Sequence, residues 1–372
     1  MRILFHAPFK PLDHPHPSGD RVIGQGLFDF LADRGHEVKV ASRLRTRWIF
    51  RRPGSWPAAA LEIRRARSLA ARFRPHLWLT FHTYYKAPDV LGPAVCGPAG
   101  IPYAVFQGMY STRVRKNPLT RPGYELNRRA LMRADHVFTN RLLDRENLLR
   151  LLPEERVTYV RPGLDAAPFA FDPSARERLR ARWGAEGLPV ALCCAMLRDD
   201  VKSRGVAFTI RTAKMLADAG LDFLLVVAGD GVMRGPLESL AGELLPGRTR
   251  FVGKVERQDM AGVFSAADAL VFPGINESLG MVYLEAQACG LPVAAFDNGG
   301  IPEVVANGQT GILTPPFDRK AFASAVARLL LEPETARRMG RAGARYVREN
   351  HDLYQNYGKV LGVLENLAAR RA

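Results

Sequence analysis

Glu277 and Glu285, separated by seven residues in Asn276-Glu277-Ser278-Leu279-Gly280-Met281-Val282-Tyr283-Leu284-Glu285-Ala286, form the most informative stretch of the chain. Pro273 and Gly274 favour a turn ahead of it, and 282–289 reads as a buried helix closed by Gly290-Leu291-Pro292. The backbone N–H groups of Leu279, Gly280, Met281 and Val282 then stand at a helix start, where they and the helix dipole favour an anion such as a diphosphate. Eight helical residues rise about 12 Å. A nucleotide diphosphate sugar is of similar length, so one carboxylate can hold the sugar and the other the ribose, with the phosphates between. Two unrelated carboxylates, one at a helix cap and one in a surface ion pair, would give the same spacing.

Such a pair needs a scaffold, and 372 residues are enough for two domains, each with its own core. Hydrophobic content of 47% with 24% charged residues describes an ordinary soluble protein, and no apolar run approaches the roughly 18 residues of a spanning helix. Residues 2–7 are too short a run, too soon followed by Pro8 and Pro11, for a signal peptide, and read as a first strand. Cys96, Cys193, Cys194 and Cys289 lack metal-ligand spacing and are expected as buried free thiols in a reducing cytoplasm.

Strands are expected at 2–7, 37–42, 76–81, 103–106, 136–139 and 157–160, alternating with helices at 24–34, 58–73, 124–133 and 141–151. After a connection reaching about residue 173, strands at 190–195, 223–228, 249–252, 269–272, 292–296 and 311–313 alternate with helices at 206–219, 237–245, 282–289 and 318–331. A last helix follows at 354–369. This is an α/β pattern with parallel sheets, whose ligands bind at the carboxyl ends of the strands. The net charge of +16 is uneven: residues 1–170 hold 28 Lys and Arg against 14 Asp and Glu, and the rest hold 25 against 23. The first half should draw anionic partners such as nucleic acid, acidic lipid or a phosphorylated acceptor, unless its arginines reflect only genome composition.

Several motifs stand in a fixed order: Val226-Val227-Ala228-Gly229-Asp230-Gly231, Phe251-Val252-Gly253, Ala267-Asp268, the glutamate pair, Glu285-Ala286-Gln287-Ala288-Cys289-Gly290-Leu291-Pro292-Val293 and Gly299-Gly300-Ile301-Pro302-Glu303. On these, over nearly its whole length, the chain resembles the retaining glycosyltransferases of family 4 (glycosyl transferases group 1). The resemblance implies the GT-B fold, an α/β architecture of two Rossmann-like domains facing each other across a cleft. An N-terminal acceptor-binding domain is expected over 1–170, with the C-terminal helix 351–372 packing back on it. A C-terminal nucleotide-sugar domain is expected over 171–350.

The resemblance also distributes roles. Glu285 would bind the ribose, Glu277 the sugar hydroxyls, and the amides of 279–282 the diphosphate. A basic cluster, Leu197-Arg198-Asp199-Asp200-Val201-Lys202-Ser203-Arg204-Gly205-Val206, lies between a strand and the helix expected near Val206, where cations can neutralise a leaving diphosphate. Family members place an Arg just after this strand and a Lys before the Gly; here Met196 and Arg204 occupy those positions. Which two of Arg198, Lys202 and Arg204 grip the phosphates stays open, with Lys202 and Arg204 favoured. Asp199-Asp200 reads as helix-start acidity rather than a metal pair.

In the first half, Gly19 of Pro17-Ser18-Gly19-Asp20-Arg21 is the one glycine left of a glycine-rich turn that approaches the diphosphate in the family, or else part of a plain N-cap turn. His82 ends a strand where the family often has a histidine. Gln107 stands where a histidine near the sugar is common, and it cannot act as a charged acid or base. Glu303 is a weaker candidate. Residues 43–56 mix Arg43, Arg45, Arg47, Arg51 and Arg52 with Trp48, Phe50 and Trp56, a composition suited to an acidic membrane surface, to nucleic acid or to a solvated loop. Arg113, Arg115 and Lys116 add a basic loop on the acceptor side.

The expected activity is a retaining, metal-independent transfer of a sugar from a UDP or GDP donor to an acceptor hydroxyl, without a cofactor. An anionic glycan or lipid-linked acceptor in cell-envelope assembly is expected, with a cytoplasmic location that reaches the inner face of the membrane. The rivals are a GT-B sugar phosphorylase, synthase or epimerase, and a basic nucleic-acid-binding protein without catalysis. Against the last, the charge lies away from the best-formed motifs.

Overall fold

The apolar runs Val190-Ala191-Leu192-Cys193-Cys194 and Leu224-Leu225-Val226-Val227-Ala228 are buried along their whole length in the computed structural model, as parallel strands covered on both faces must be. The structure describes residues 1–13 and 19–370. The chain divides into two units, Met1–Arg161 with Tyr354–Ala372, and Pro162–Leu353.

In the first unit, β1 (Arg2–His6), β2 (Glu37–Ser42), β3 (Leu77–Thr83), β4 (Tyr103–Gly108), β5 (His136–Thr139) and β6 (Val157–Tyr159) alternate with α1 (Gly19–Asp33), α2 (Trp56–Phe73), α3 (Gly92–Ala99), α4 (Arg121–Arg133) and α5 (Leu142–Leu148). The strands form one parallel sheet in the order β2-β1-β3-β4-β5-β6. Phe5, Phe81 and Phe106 stack across β1, β3 and β4, with ring centroids 6.3 and 6.0 Å apart.

The second unit holds α6 (Pro173–Trp183), β7 (Val190–Cys194), α7 (Val201–Asp218), β8 (Leu224–Ala228), α8 (Arg234–Leu244), β9 (Thr249–Gly253), α9 (Met260–Ala266) and β10 (Ala269–Val271). It continues through α10 (Met281–Ala288), β11 (Val293–Phe296), β12 (Gly311–Thr314), α11 (Arg319–Leu331) and α12 (Pro333–Asn350). Its sheet runs β12-β11-β10-β7-β8-β9. Counted from β7, this is the order 3-2-1-4-5-6 of a doubly wound dinucleotide-binding sheet, whose order reverses between β7 and β10. In the first sheet the reversal falls between β1 and β3. Each carboxyl-end crevice is therefore set by topology before any side chain is considered.

The last helix, α13 (Leu353–Ala369), lies against the first unit. Tyr357 packs on Phe30 at 5.5 Å and donates its hydroxyl to the Ile23 carbonyl at 3.1 Å. The division falls at residue 161, earlier than residue 170, because the Leu164 amide pairs with the His351 carbonyl at 2.7 Å and ties the connection to the end of the second unit.

All twelve expected strands are present, with ends that coincide or differ by at most two residues. Four helices absent from the expected set appear: α3, α6, α9 and α12. In α3 the turn-like Gly92-Pro93-Ala94 is driven into a helix by Asp89, whose Oδ1 accepts the Leu91 and Gly92 amides at 2.9 and 3.0 Å. Two helices start five residues early: α1 at Gly19 rather than Gly24, and α7 at Val201 rather than near Val206. Asp200 is the N-cap of α7 and accepts the Lys202 amide at 2.8 Å.

Candidate functional site

The sheet reversal of the second unit is lined by the segments after β7 and β10, which carry the basic cluster and Glu277. Glu277 is held by a turn, its amide donating to the Gly274 carbonyl at 3.1 Å. Asn298 Nδ2 donates to the same carbonyl at 3.2 Å. The turn is braced from behind: the Gly300 amide donates to the Glu277 carbonyl at 3.0 Å. A Cβ on Gly299 or Gly300 would stand 2.2 Å from the Glu277 oxygen or 2.0 Å from the Ser278 oxygen. The two glycines of Gly299-Gly300-Ile301-Pro302-Glu303 are thus where the backbone must come close enough to fix Glu277.

Glu277 Oε2 pairs with Lys202 Nζ from the first turn of α7, and the Glu277 side chain is only 14% exposed. The ammonium also lies 5.6 Å from the Phe272 ring centroid. Beyond Glu277 the chain reaches α10 through Gly280, at φ 67°, with no side-chain cap. Among the described residues no acceptor is recorded for the amides of Leu279, Gly280, Met281 and Val282, whereas Tyr283 N donates to the Gly280 carbonyl at 3.0 Å. Only Met281 to Glu285 of the interval is helical, so the helical rise applies to about half of it.

Glu285 sits on α10 with its side chain 13% exposed, its Oε1 2.8 Å from Arg257 Nη1. Burial pushes the Glu285 carboxyl above its ordinary value, and Arg257 pulls it back. Nothing in the sequence marks Arg257, which is 28 residues away, as the partner; the sheet brings them together.

The basic cluster is rearranged by the earlier helix start. Lys202 and Arg204 lie inside α7, about 200° apart around its axis. Lys202 reaches Glu277, whereas Arg204 is exposed, so a joint grip by these two does not follow from the fold. Arg198 lies in the loop, exposed, its Nη2 2.9 Å from the Met196 sulfur.

In the first unit, Gly19 opens α1; Pro17 and Ser18 lie outside the described residues. His82 and Gln107 are the penultimate residues of neighbouring strands, and both hold φ 57°, a left-handed conformation uncommon outside glycine. His82 stands among Phe9 and Tyr84, with ring centroids 5.0 and 5.2 Å away. Gln107 is 7% exposed, and its buried Oε1 has no hydrogen-bond partner among the described residues. Glu303 ends the 3-10 turn Ile301–Glu303.

Arg113, Arg115 and Lys116 are exposed in the 3-10 helix Thr112–Lys116. Residues 43–56 are less open than their composition suggests. Ile49 is buried, and Phe50 and Trp48 are half-buried. Phe50 fills space above Gly123, where a Cβ would stand 2.2 Å from its ring, and Arg51 and Lys86 cover Trp48 at 4.4 and 5.6 Å. Trp56 stays exposed among the cations. All four cysteines are free and buried. Among the described residues no helix is long and apolar enough to cross a membrane, and no three His, Cys, Asp or Glu gather where they could hold a metal.

Residues 176–346, most of the second unit, match the family "Glycosyl transferases group 1". A GDP-mannose-dependent alpha-(1-6)-phosphatidylinositol monomannoside mannosyltransferase of Mycolicibacterium smegmatis is 34% identical over 206 residues, 53% of each chain. A D-inositol 3-phosphate glycosyltransferase of Saccharomonospora viridis is 33% identical over 280 residues, 73% of this chain and 64% of the relative. The chain thus spans between half and two thirds of the length of these relatives. Among solved structures, a sucrose-phosphate synthase from Thermosynechococcus elongatus superposes with a TM-score of 0.77 at 20% identity, over 99% of both chains. Residues 176–346 thus carry the likeness to the glycosyl transferases group 1, and the chain has the GT-B fold.

Proposed function

We propose that the protein is a retaining glycosyltransferase of family 4 that moves a sugar from a nucleotide diphosphate sugar to an acceptor hydroxyl, without a metal. The observation that carries this reading is the arrangement at the second sheet reversal. Two carboxylates flank a run of amides with no recorded acceptor at the start of α10, and a lysine stands beside the first carboxylate. Glu285 takes the ribose hydroxyls, the amides of 279–282 the diphosphate, and Glu277 the sugar hydroxyls. Lys202, with Arg198 available in the loop, stabilises the charge that gathers on the leaving phosphate.

The C1–O bond to the phosphate breaks as the acceptor oxygen bonds to C1 on the same face, and the acceptor proton passes to a phosphate oxygen. Barrier lowering comes from positioning and leaving-group stabilisation, so no enzymic nucleophile is required. The first unit serves the acceptor, with His82 and Gln107 as hydroxyl partners. Its surplus of cations, among them Arg113, Arg115 and Lys116, suits an anionic acceptor. Both relatives are named for inositol phosphate compounds, which supports a phosphorylated or glycolipid acceptor at the inner membrane face.

A thermal-shift screen against UDP, GDP and ADP, followed by a transfer assay with the matching nucleotide sugar, tests the reading. A rise with one nucleoside diphosphate and product retaining the donor's anomeric configuration are expected. No shift with any of the three would end it. Release of free sugar phosphate, or an epimerised sugar without acceptor, would point to the phosphorylase or epimerase alternatives. Sedimentation with acidic vesicles at low salt tests the membrane part separately.

A further inference from the structure

Arg257 begins the 3-10 turn Arg257–Asp259 ahead of α9 and is half exposed, yet its guanidinium is not loose. Its Cζ stands 5.2 Å from the ring centroid of Phe169, which is itself buried against Phe264. A planar guanidinium laid on a fixed ring is already oriented before it pairs, so holding a carboxylate costs it little further freedom. The carboxylate it holds is Glu285, and no other donor to Glu285 is recorded among the described residues. The other titratable groups facing Glu285 are Cys194, at the end of β7, and Cys289, just past α10. Burial pushes the Cys289 thiol up to about 12 and raises that of Cys194 as well, so neither carries charge near neutral pH. Arg257 is the one cation recorded against this half-enclosed carboxylate among the described residues.

We infer that Arg257 is a positioning residue for the nucleotide sugar, holding Glu285 ionised and oriented to receive the ribose hydroxyls. This rests on the assignment of Glu285 to the ribose. An ionised carboxylate accepts from both hydroxyls in charge-assisted bonds. A protonated carboxyl carries a donor of its own and loses the charge. One Glu285 oxygen is taken by Arg257, and the other is left for the ligand. Without Arg257, burial alone governs Glu285, and its proton is released only at higher pH.

The test is calorimetric titration of UDP-glucose and GDP-mannose into the wild type, Arg257→Gln and Arg257→Lys. In these sugars the diphosphate is esterified at both ends and does not titrate near neutral pH. At about pH 5, Arg257→Gln should bind the preferred donor several-fold more weakly than wild type, and the gap should close by about pH 8.5. Arg257→Lys, which keeps the charge but not the stacked plane, should keep the shape of the wild-type pH profile with a partial loss of affinity. Compared with Glu285→Gln alone, the double variant Glu285→Gln, Arg257→Gln has no carboxyl left at the ribose and should show no pH-dependent gap. A gap that is constant across pH, or absent, overturns the inference, and so does a pH-dependent gap that survives in the double variant. If the wild type binds no nucleotide sugar, the ribose assignment falls and this inference with it. If it binds and the gap is flat, only this inference falls.

Discussion

At the reversal of the second sheet, the segments after β7 and β10 set Lys202 against Glu277, and nearby Arg257 meets Glu285. At the reversal of the first sheet, the segments after β1 and β3 set Phe9 and Tyr84 around His82, with Gln107 on the adjoining strand. Similar topologies have been given different chemistry. The second crevice is built from charges held in pairs, whose partners a charged ligand can exchange. The first is built mainly from rings, with Lys10 and Arg45 beside Phe9 and with His82 and Gln107 on backbones strained into φ 57°. Such strain costs of order 1–3 kcal/mol per residue and persists where the surroundings or a function enforce it. A paired-charge crevice suits a nucleotide diphosphate, and a rigid, ring-lined one suits an acceptor presenting a hydroxyl.

The largest effect expected from this contrast is on the charged side. Lys202→Ala should lower turnover by about 100- to 1000-fold, the range seen when one preorganised donor to a developing charge is removed. Arg204→Ala, on the far side of α7, should lose less than about tenfold. Steady-state kinetics on both variants decide it, and equal losses would return Arg204 to the phosphates. Next in size, Glu285→Ala should weaken donor binding by roughly 10- to 100-fold, the value of charge-assisted bonds to the ribose, with a smaller change in kcat at saturating donor. Calorimetry showing wild-type donor affinity in this variant would remove Glu285 from the site.

On the ring-lined side, Gln107→Gly should cut transfer by about tenfold through the acceptor KM, the value of one hydrogen bond to a hydroxyl, while leaving donor affinity unchanged. It also removes an unpartnered buried oxygen and a strained φ, each costing of order 1–3 kcal/mol, against which stand the lost side-chain packing and the entropy cost of glycine. The variant should therefore melt no lower than wild type. A fall in donor affinity would erase the division of labour between the two crevices.

Much of this was legible in the sequence because parallel, doubly covered strands announce themselves as apolar runs between turn residues, as at 190–194 and 224–228. Helix boundaries were less so. Gly205 and the polar run before it read as loop, and only Asp200 closing on the Lys202 amide shows where α7 starts. That difference decided the geometry of the basic cluster. The partner of each site glutamate was hidden for another reason: Lys202 and Arg257 meet Glu277 and Glu285 across 75 and 28 residues of chain, and local pattern cannot report such pairs. The aromatics of 43–56 misled in the opposite sense, because the space above Gly123 that receives Phe50 is a tertiary feature.

The smallest expected effect concerns what the second crevice costs the unliganded fold. Burial raises the Glu285 carboxyl above its ordinary value, with Arg257 opposing but not cancelling the shift. A carboxyl raised on folding is unpenalised at low pH, where folded and unfolded chains both keep the proton. As pH rises through the carboxylate range, the unfolded chain ionises freely while the folded one does so reluctantly, and stability is lost. Glu285→Gln removes that loss. The variant should melt higher than wild type at neutral pH, and the difference should vanish in acid. Saturating nucleotide sugar should reverse the order, because only the wild type gains the full ribose contact. Calorimetric scans at neutral and acid pH, with and without donor, would show both signs. A variant that melts lower than wild type in the absence of donor would mean that the Arg257 pair stabilises the fold outright, and the contrast with the ring-lined crevice would lose its energetic basis.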